Sequence, residues 1–374
     1  MNYIVFVSVF LTVMAAINFY VYRRFLRKLT PAFSRYAMVL PLLLMLGEVV
    51  YMLDALTNMI AGHPWVYLLA SASVGISFML FVVATVYDLT VTAAARVPFD
   101  QTRRRSIKIL FDVTMLVAAV SYVLRGLSQG LKAPALNTVH VDIPDFPAPE
   151  YRIVQLTDIH VGRIIRREFI QHLVDRSNAL APDMVVITGD LIDLPVEEIR
   201  HDLAPLRELQ APAYFILGNH EYFHGAEAAL ETVTQLGIRT LTNESLRIET
   251  GHSGFNLVGV NDLIGERMGE LPPDFEAAYQ GVDNGRPTIV LAHQPKSIER
   301  VAEYRCDLMI SGHTHGGQIF PFGFLVMIDQ PYLYGLHRHS EDQQIFVSRG
   351  TGFWGPPLRV LAPSEISHIV IRPA

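Results

Sequence analysis

The chain has 374 residues, 51 % of them hydrophobic, and a formal net charge of −6. An acidic balance argues against a protein held to nucleic acid by phosphate contacts, and the single cysteine, Cys306, excludes an intramolecular disulfide. The mean hydropathy of +0.29 is high for a soluble protein, and the length is enough for two units.

The apolar excess lies in the first third. Up to Gly130 there are eleven Lys and Arg against five Asp and Glu, and the rest has 19 against 31. A basic apolar segment joined to an acidic globular one points to a membrane protein. Four apolar stretches, Tyr3–Tyr22, Tyr36–Met59, Trp65–Val91 and Ile107–Leu127, are each near the ~20 residues a helix needs to cross a bilayer. The first lacks the basic leading region of a signal peptide, and three more follow it, so it reads as a span.

Lys and Arg gather in alternate connections. Arg23, Arg24, Arg27, Lys28 and Arg35 fill the first, and Arg96, Arg103, Arg104, Arg105 and Lys108 fill the third. The second, around Ala61 to Pro64, has none. The positive-inside rule then predicts an inner-membrane protein whose first and third connections are cytoplasmic, with both termini and the C-terminal domain extracytoplasmic. Glu48 falls near the middle of the second stretch. An intramembrane carboxylate is either a functional group or an interhelical hydrogen-bonding one. Asp54, Asp88 and Asp112 lie nearer the span ends and are expected at the interfaces.

Residues 131–150 read as a linker, because Pro134, Pro144, Pro147 and Pro149 stop a helix from continuing. Within it, Thr138 to Ile143 alternates enough to be a strand. The expected organisation is therefore a four-helix transmembrane region at 1–130, a linker at 131–150 and a catalytic domain at 151–374. In that domain, strand-type runs occur at Ile153–Leu156, Met184–Ile187, Tyr214–Leu217, Phe255–Val260, Thr288–Leu291, Leu308–Ile310, Gln344–Val347 and Ile366–Ile371. Helical periodicity appears at Arg167–Leu180, Val196–Leu209, Ala226–Leu236 and Pro295–Glu303. Strands this apolar are expected to be covered on both faces. The pattern predicts an α/β sandwich of two sheets flanked by helices.

Five of the apolar runs end at residues able to hold a cation. They lead to Asp158 and His160, to Asp190, to Asn219, to His293, and to His313 and His315. Each string is weak alone; the ordered set describes a metal site at one edge of a β core. Nitrogen and oxygen ligands without a thiolate suit Mn²⁺, Fe²⁺ or Zn²⁺. Seven ligands are too many for one catalytic ion with open positions and about right for two.

The strings Asp158-Ile159-His160, Gly189-Asp190-Leu191-Ile192-Asp193, Gly218-Asn219-His220-Glu221, His293 and Gly312-His313-Thr314-His315 resemble those of the calcineurin-like metallophosphoesterases. Gly316-Gly317-Gln318 and Ser348-Arg349-Gly350 look like a bacterial, membrane-associated branch of that superfamily, which includes four-helix membrane proteins. The resemblance implies that Asp158, His160 and His315 hold one ion, that Asn219, His293 and His313 hold the other, and that Asp190 bridges them. A hydroxide generated between the metals would attack phosphorus in line. His220 would be the general acid, with Asp193 keeping its imidazole protonated. Glu221 would support the loop. Purple acid phosphatases carry a tyrosine where this chain has Asp193, so a coloured Fe³⁺–tyrosinate centre is not expected.

Arg163, Arg166, Arg167 and above all Arg349 are further candidates for substrate phosphate. His224, His337 and His339 have no motif to support them. The apolar stretch Phe320 to Leu336 is either a core hairpin or an acyl-chain surface. The expected partners are a lipid bilayer and a phosphorylated, lipid-linked substrate. Two other classes fit part of the pattern. A non-catalytic scaffold would lack ligands or His220, and a transporter or sensor would act through Glu48 with a regulatory phosphoesterase domain.

Overall fold

The computed structural model describes residues 3–29, 34, 36–96, 101–251 and 253–374. Arg35 lies outside the described residues. The chain forms two compact units, one of Met1–Leu131 with Gly355–Val360, the other of Lys132–Trp354 with Leu361–Ala374.

The first unit contains helices α1 (Tyr3–Arg24), α2 (Val39–Thr57), α3 (Pro64–Ala94) and α4 (Gln101–Gly130). All four are long and apolar enough to cross a membrane. Their outward positions carry large apolar side chains, such as Val9, Phe19, Leu42, Leu46 and Leu69, whereas Asn18, Glu48, Ser71, Ser73 and Ser77 are buried. That inversion suits lipid as the solvent, because apolar residues need no burial there and polar ones need partners. Glu48 has them. Asn18 Nδ2 donates to both its carboxyl oxygens at 3.0 Å and Ser77 Oγ to Oε1 at 2.5 Å, tying α1, α2 and α3 together. A Cβ on Gly47 would collide with Ser73, so this glycine sets how closely α2 and α3 approach.

The two basic connections lead to the same end of the bundle. Lys28 Nζ lies 2.7 Å from Asp88, Lys108 Nζ lies 2.6 Å from Asp112, and Lys108 also donates to the Lys28 carbonyl at 2.8 Å. Of the three aspartates expected at interfaces, Asp88 is partly exposed and the other two are buried. Asp112 is fully buried and accepts from Tyr87 Oη at 2.8 Å. Asp54 is buried and accepts from the Ile60 amide at 2.9 Å. Gly355–Val360 groups with these helices although it lies late in the sequence, and the Arg359 amide donates to the Gly126 carbonyl at 2.9 Å.

The second unit holds two sheets of six strands each among the described residues. The first has the order β1 (Ala135–Ile143), β12 (Glu365–Pro373), β2 (Tyr151–Leu156), β3 (Met184–Thr188), β4 (Ala213–Ile216), β5 (Arg239–Thr240). The second has the order β10 (Gly335–Arg338), β11 (Gln344–Val347), β9 (Leu308–Ser311), β8 (Thr288–Leu291), β7 (Ser253–Gly259), β6 (Glu244–Thr250). Helices α5 (Arg167–Ala179), α6 (Val196–Leu203), α7 (Asn219–His224) and α8 (Ala226–Gln235) follow β2, β3 and β4.

The apolar runs are continuous because both faces are covered. Met184 and Val186 enter the core between the sheets with Phe255, Leu257, Ile289 and Ile310. Val185 and Ile187 enter the core beneath the helices with Ile170, Leu173, Ile199 and Val233. Each such side chain contributes ~1.5–3 kcal/mol by leaving water. Strands β5, β6 and β10 are not among the expected ones. All three are edge strands, half-exposed and polar on one face, so they carry no unbroken apolar run. The expected linker contains β1, a full edge strand of the first sheet. Pro295–Glu303 forms a short 3₁₀ turn and a single α-turn in place of one helix.

Candidate metal centre

Strands β2, β3 and β4 run parallel in one sheet, and β8 and β9 run parallel in the other. Each ends in one of the residues singled out above. Backbone hydrogen bonds then zip the first two loops together. The amide of Asp158 donates to Gly189, that of His160 to Asp190, and that of Val161 to Leu191, at 3.1, 3.0 and 2.8 Å. Asp158, His160, Asp190 and Asp193 are thereby drawn to one place.

Glycines make the remaining approaches possible. A Cβ on Gly189 would strike the Gly218 backbone, and one on Gly312 would strike Asp158. Five candidate ligands adopt left-handed backbone, with φ of 52° at Asp158, 56° at His160, 52° at Asp190, 69° at His313 and 50° at His315. Such conformations cost on the order of 1–3 kcal/mol each and cluster where function over-determines the backbone.

The donor atoms form three groups, two of them built on the expected ligands and a third, of His160, Asp193 and His220, sharing His160 with the first. Asp158, His160 and His315 make the first, and Asp190, His293 and His313 the second, with atoms of each group within 4.8 Å of one another. Asp190 faces both, its Oδ2 lying 3.2 Å from His293 Nε2 and 3.9 Å from His160 Nε2. Two observations test whether these residues suit cations. His160 Nε2 and His315 Nε2 point at each other across 3.0 Å, where two lone pairs repel unless a proton or cation intervenes. Asn219 Oδ1 is buried without a hydrogen-bond partner among the described residues, an arrangement that a metal would satisfy. The donor set, imidazoles with carboxylates and one amide, fits divalent first-row ions.

The charges agree. Burial lowers the His293 imidazolium pKa, but Asp190 and Asp158 outweigh it and lift the group well above its ordinary range. That proton balances the carboxylates, a task cations would assume on binding. His313 is pushed down to about 3 by burial and by His293, leaving a neutral imidazole.

Asp193 stands between two histidines. Its Oδ1 lies 2.7 Å from His160 Nδ1 and 2.7 Å from His220 Nδ1. Burial raises its pKa, yet the two imidazoles hold the carboxyl far below its usual range. Burial depresses His220 in turn, and Asp190 and Asp193 reverse this, lifting it to about 9. The sequence reading assigned Asp193 to His220 alone. Its second partner was hidden, because residues 160 and 193 meet only through the zipped loops. Glu221 accepts backbone amides from Asp190, Leu191, Ile192 and Gly218 at 3.0, 2.8, 3.2 and 2.7 Å. It thereby clamps the loops after β3 and β4.

Most of the arginine candidates already have protein partners. Arg166 pairs with Asp202 at 2.8 Å, and Arg163 is buried 3.5 Å from Glu198. Arg349 pairs with Glu365 at 3.0 Å and lies over the Tyr334 ring. Of the unsupported histidines, His224 lies beside His220, whereas His337 and His339 pack on Tyr332. Phe223 and Trp354 present ring edges to His220, with centroids 5.5 and 6.1 Å away. Neither was singled out, since an aromatic side chain with no ligand or acid–base group marks no motif, whether three residues after His220, as Phe223 is, or far off, as Trp354 is.

The family model described as calcineurin-like phosphoesterase matches residues 151–317. An uncharacterized metallophosphoesterase of Helicobacter pylori (strain J99) is 36 % identical over 369 residues, 97 % of each chain. One of Campylobacter jejuni is 32 % identical over 98 % of each chain. A transmembrane protein with metallophosphoesterase domain from Danio rerio is 36 % identical over 71 % of this chain and 64 % of its own. A sequence match that spans both units, with a site built for two cations, makes this chain a member of the calcineurin-like metallophosphoesterases, metal-dependent phosphoric ester hydrolases, here carrying four helices suited to the membrane.

Proposed function

We propose that the protein is a two-metal phosphoesterase that cleaves a lipid-linked phosphate ester or pyrophosphate at the extracytoplasmic face of the inner membrane. The observation that carries this reading is Asp190 facing both ligand groups through one carboxylate oxygen. A bridging carboxylate suits cations roughly 3.5–4 Å apart. Asp158, His160 and His315 would hold one ion, and Asn219, His293 and His313 the other. When bound, the ions supply an activated water and stabilise charge on the phosphoryl oxygens.

The leaving oxygen needs a proton, and His220 is the donor in this reading. It lies outside the two groups proposed to hold the ions, with its Nε2 4.0 Å from Asp190 Oδ2 and its Nδ1 2.7 Å from Asp193 Oδ1. A histidine whose pKa is raised stays protonated at neutral pH. The half-exposed rings of Phe223 and Trp354 lie against its flank. The lipid-linked substrate rests on anchorage, since four spans are more than a soluble substrate requires. A phospholipid or polyprenyl phosphate has the right chemistry.

The purified full chain is expected to hydrolyse bis-p-nitrophenyl phosphate, to lose that activity to a chelator and to regain it with Mn²⁺, Fe²⁺ or Zn²⁺. Absence of turnover with all three would overturn the reading. The substrate class is tested separately, by phosphate release and mass spectrometry on a lipid extract.

The orientation has its own test. Both basic connections lead to one end of the helical unit, which supports a single cytoplasmic side. A phosphatase reporter fused after Ala374 is expected to be active, and a fluorescent protein that folds only in the cytoplasm is expected to be dark there. The reverse pattern would place the catalytic unit inside the cell.

A further inference from the structure

The stretch from Phe320 to Leu336 is not a core hairpin. Its middle forms a short helix, Gly323–Val326, none of whose residues is buried. Phe324, Leu325, Met327 and Ile328 are 67, 55, 53 and 80 % exposed. From Gly316 to Leu336 the sole charged residue is Asp329, and Lys296 neutralises it at 2.8 Å. Contiguous exposed apolar surface of this kind is rare on a protein bathed only in water.

The segment is nevertheless firmly held. Gly317 and Gly323 touch backbone to backbone, so the turn packs directly on the loop that carries His315. Thr314 Oγ1 donates to the Leu333 carbonyl at 2.6 Å, and Gln330 Oε1 accepts from the Lys296 amide at 3.0 Å. Gln318 pairs with both backbone groups of Trp354, at 2.9 and 3.0 Å, fixing the indole that borders His220. A backbone pinned at both ends thus presents large apolar side chains outward beside the candidate centre.

We infer that Phe324, Leu325, Met327 and Ile328 insert into the acyl region of the bilayer beside the catalytic unit. Lipid is the occupant the page favours. The chain carries four helices long and apolar enough to cross a membrane, which brings lipid within its reach, and no residue of the short helix is buried. An uncharged run of aromatic and aliphatic residues suits the boundary between headgroups and chains. The placement would let a lipid-linked phosphate reach the ligand loops without its hydrocarbon chain leaving the membrane. The inference concerns a surface, and it stands or falls independently of catalysis.

The test uses the full chain in lipid nanodiscs with Ile328→Cys, and separately Leu325→Cys, each labelled with an environment-sensitive fluorophore. The native Cys306 is buried. Expected are a blue-shifted emission and several-fold quenching when nanodisc lipids carry a nitroxide high on the acyl chain. A label at Glu249→Cys, an exposed position on β6, should show neither. Retained hydrolysis of a soluble ester by the labelled chains confirms that the fold survives. Emission that stays water-like at both positions overturns the inference. So does a blue shift without nitroxide quenching, because it would mean that protein, such as a second copy of this chain, covers the surface.

Discussion

Asp190→Ala is expected to empty both halves of the metal centre, not one. The carboxylate lies between the two ligand groups, 3.2 Å from His293 and 3.9 Å from His160, and its other oxygen accepts the His220 amide at 2.9 Å. Without it, two cations would face each other with no shared anion to screen them, and the loops after β3 and β4 would lose one of their ties, those through Glu221 remaining. Elemental analysis of the purified variant should show neither site filled. The loss of activity should exceed the ~10–100-fold that follows from changing a residue that merely supports a ligand. Retention of one ion would assign Asp190 to a single site, and retention of both with full activity would remove it from the centre.

His220→Ala separates proton donation from metal binding. Both ions should remain, because His220 clusters only with His160 and Asp193 and belongs to neither of the groups proposed to hold the ions. The rate should fall by roughly 10²–10⁴-fold, the worth of a general acid. The loss should be largest on alkyl esters and shrink on a nitrophenyl ester, whose phenolate departs without a proton. Asp193→Asn should behave as a mixture. Through His220 it weakens proton donation in the same leaving-group pattern. Through His160, whose Nδ1 lies 2.7 Å away, it should also weaken metal affinity, by roughly the 10–100-fold of a lost supporting hydrogen bond. Equal losses for His220→Ala on both ester classes, or one ion missing, would point to a ligand role.

Much of this molecule can be read from local pattern. Apolar runs such as Met184–Ile187 are continuous because each strand is covered on both faces, and that physical fact marks where the ligand-bearing loops begin. The four apolar stretches are legible for the same reason, since a bilayer demands unbroken length.

Other features depend on neighbours distant in the chain. The dual partnership of Asp193 exists only because the loops after β2 and β3 run side by side. Arg349 has the sequence context of a phosphate ligand, yet Glu365 and the Tyr334 ring engage it. Edge strands β5, β6 and β10 lack the apolar run that marks a covered strand. The stretch after His315 has the composition of a core segment, and composition does not say which way a side chain faces. Sequence alone therefore determined the chemistry available and the order in which strands deliver it, because burial periodicity and ligand type are local properties. Tertiary structure decided which carboxylate serves two imidazoles, which arginine is engaged and which apolar run stays uncovered, because those depend on packing between segments far apart in sequence.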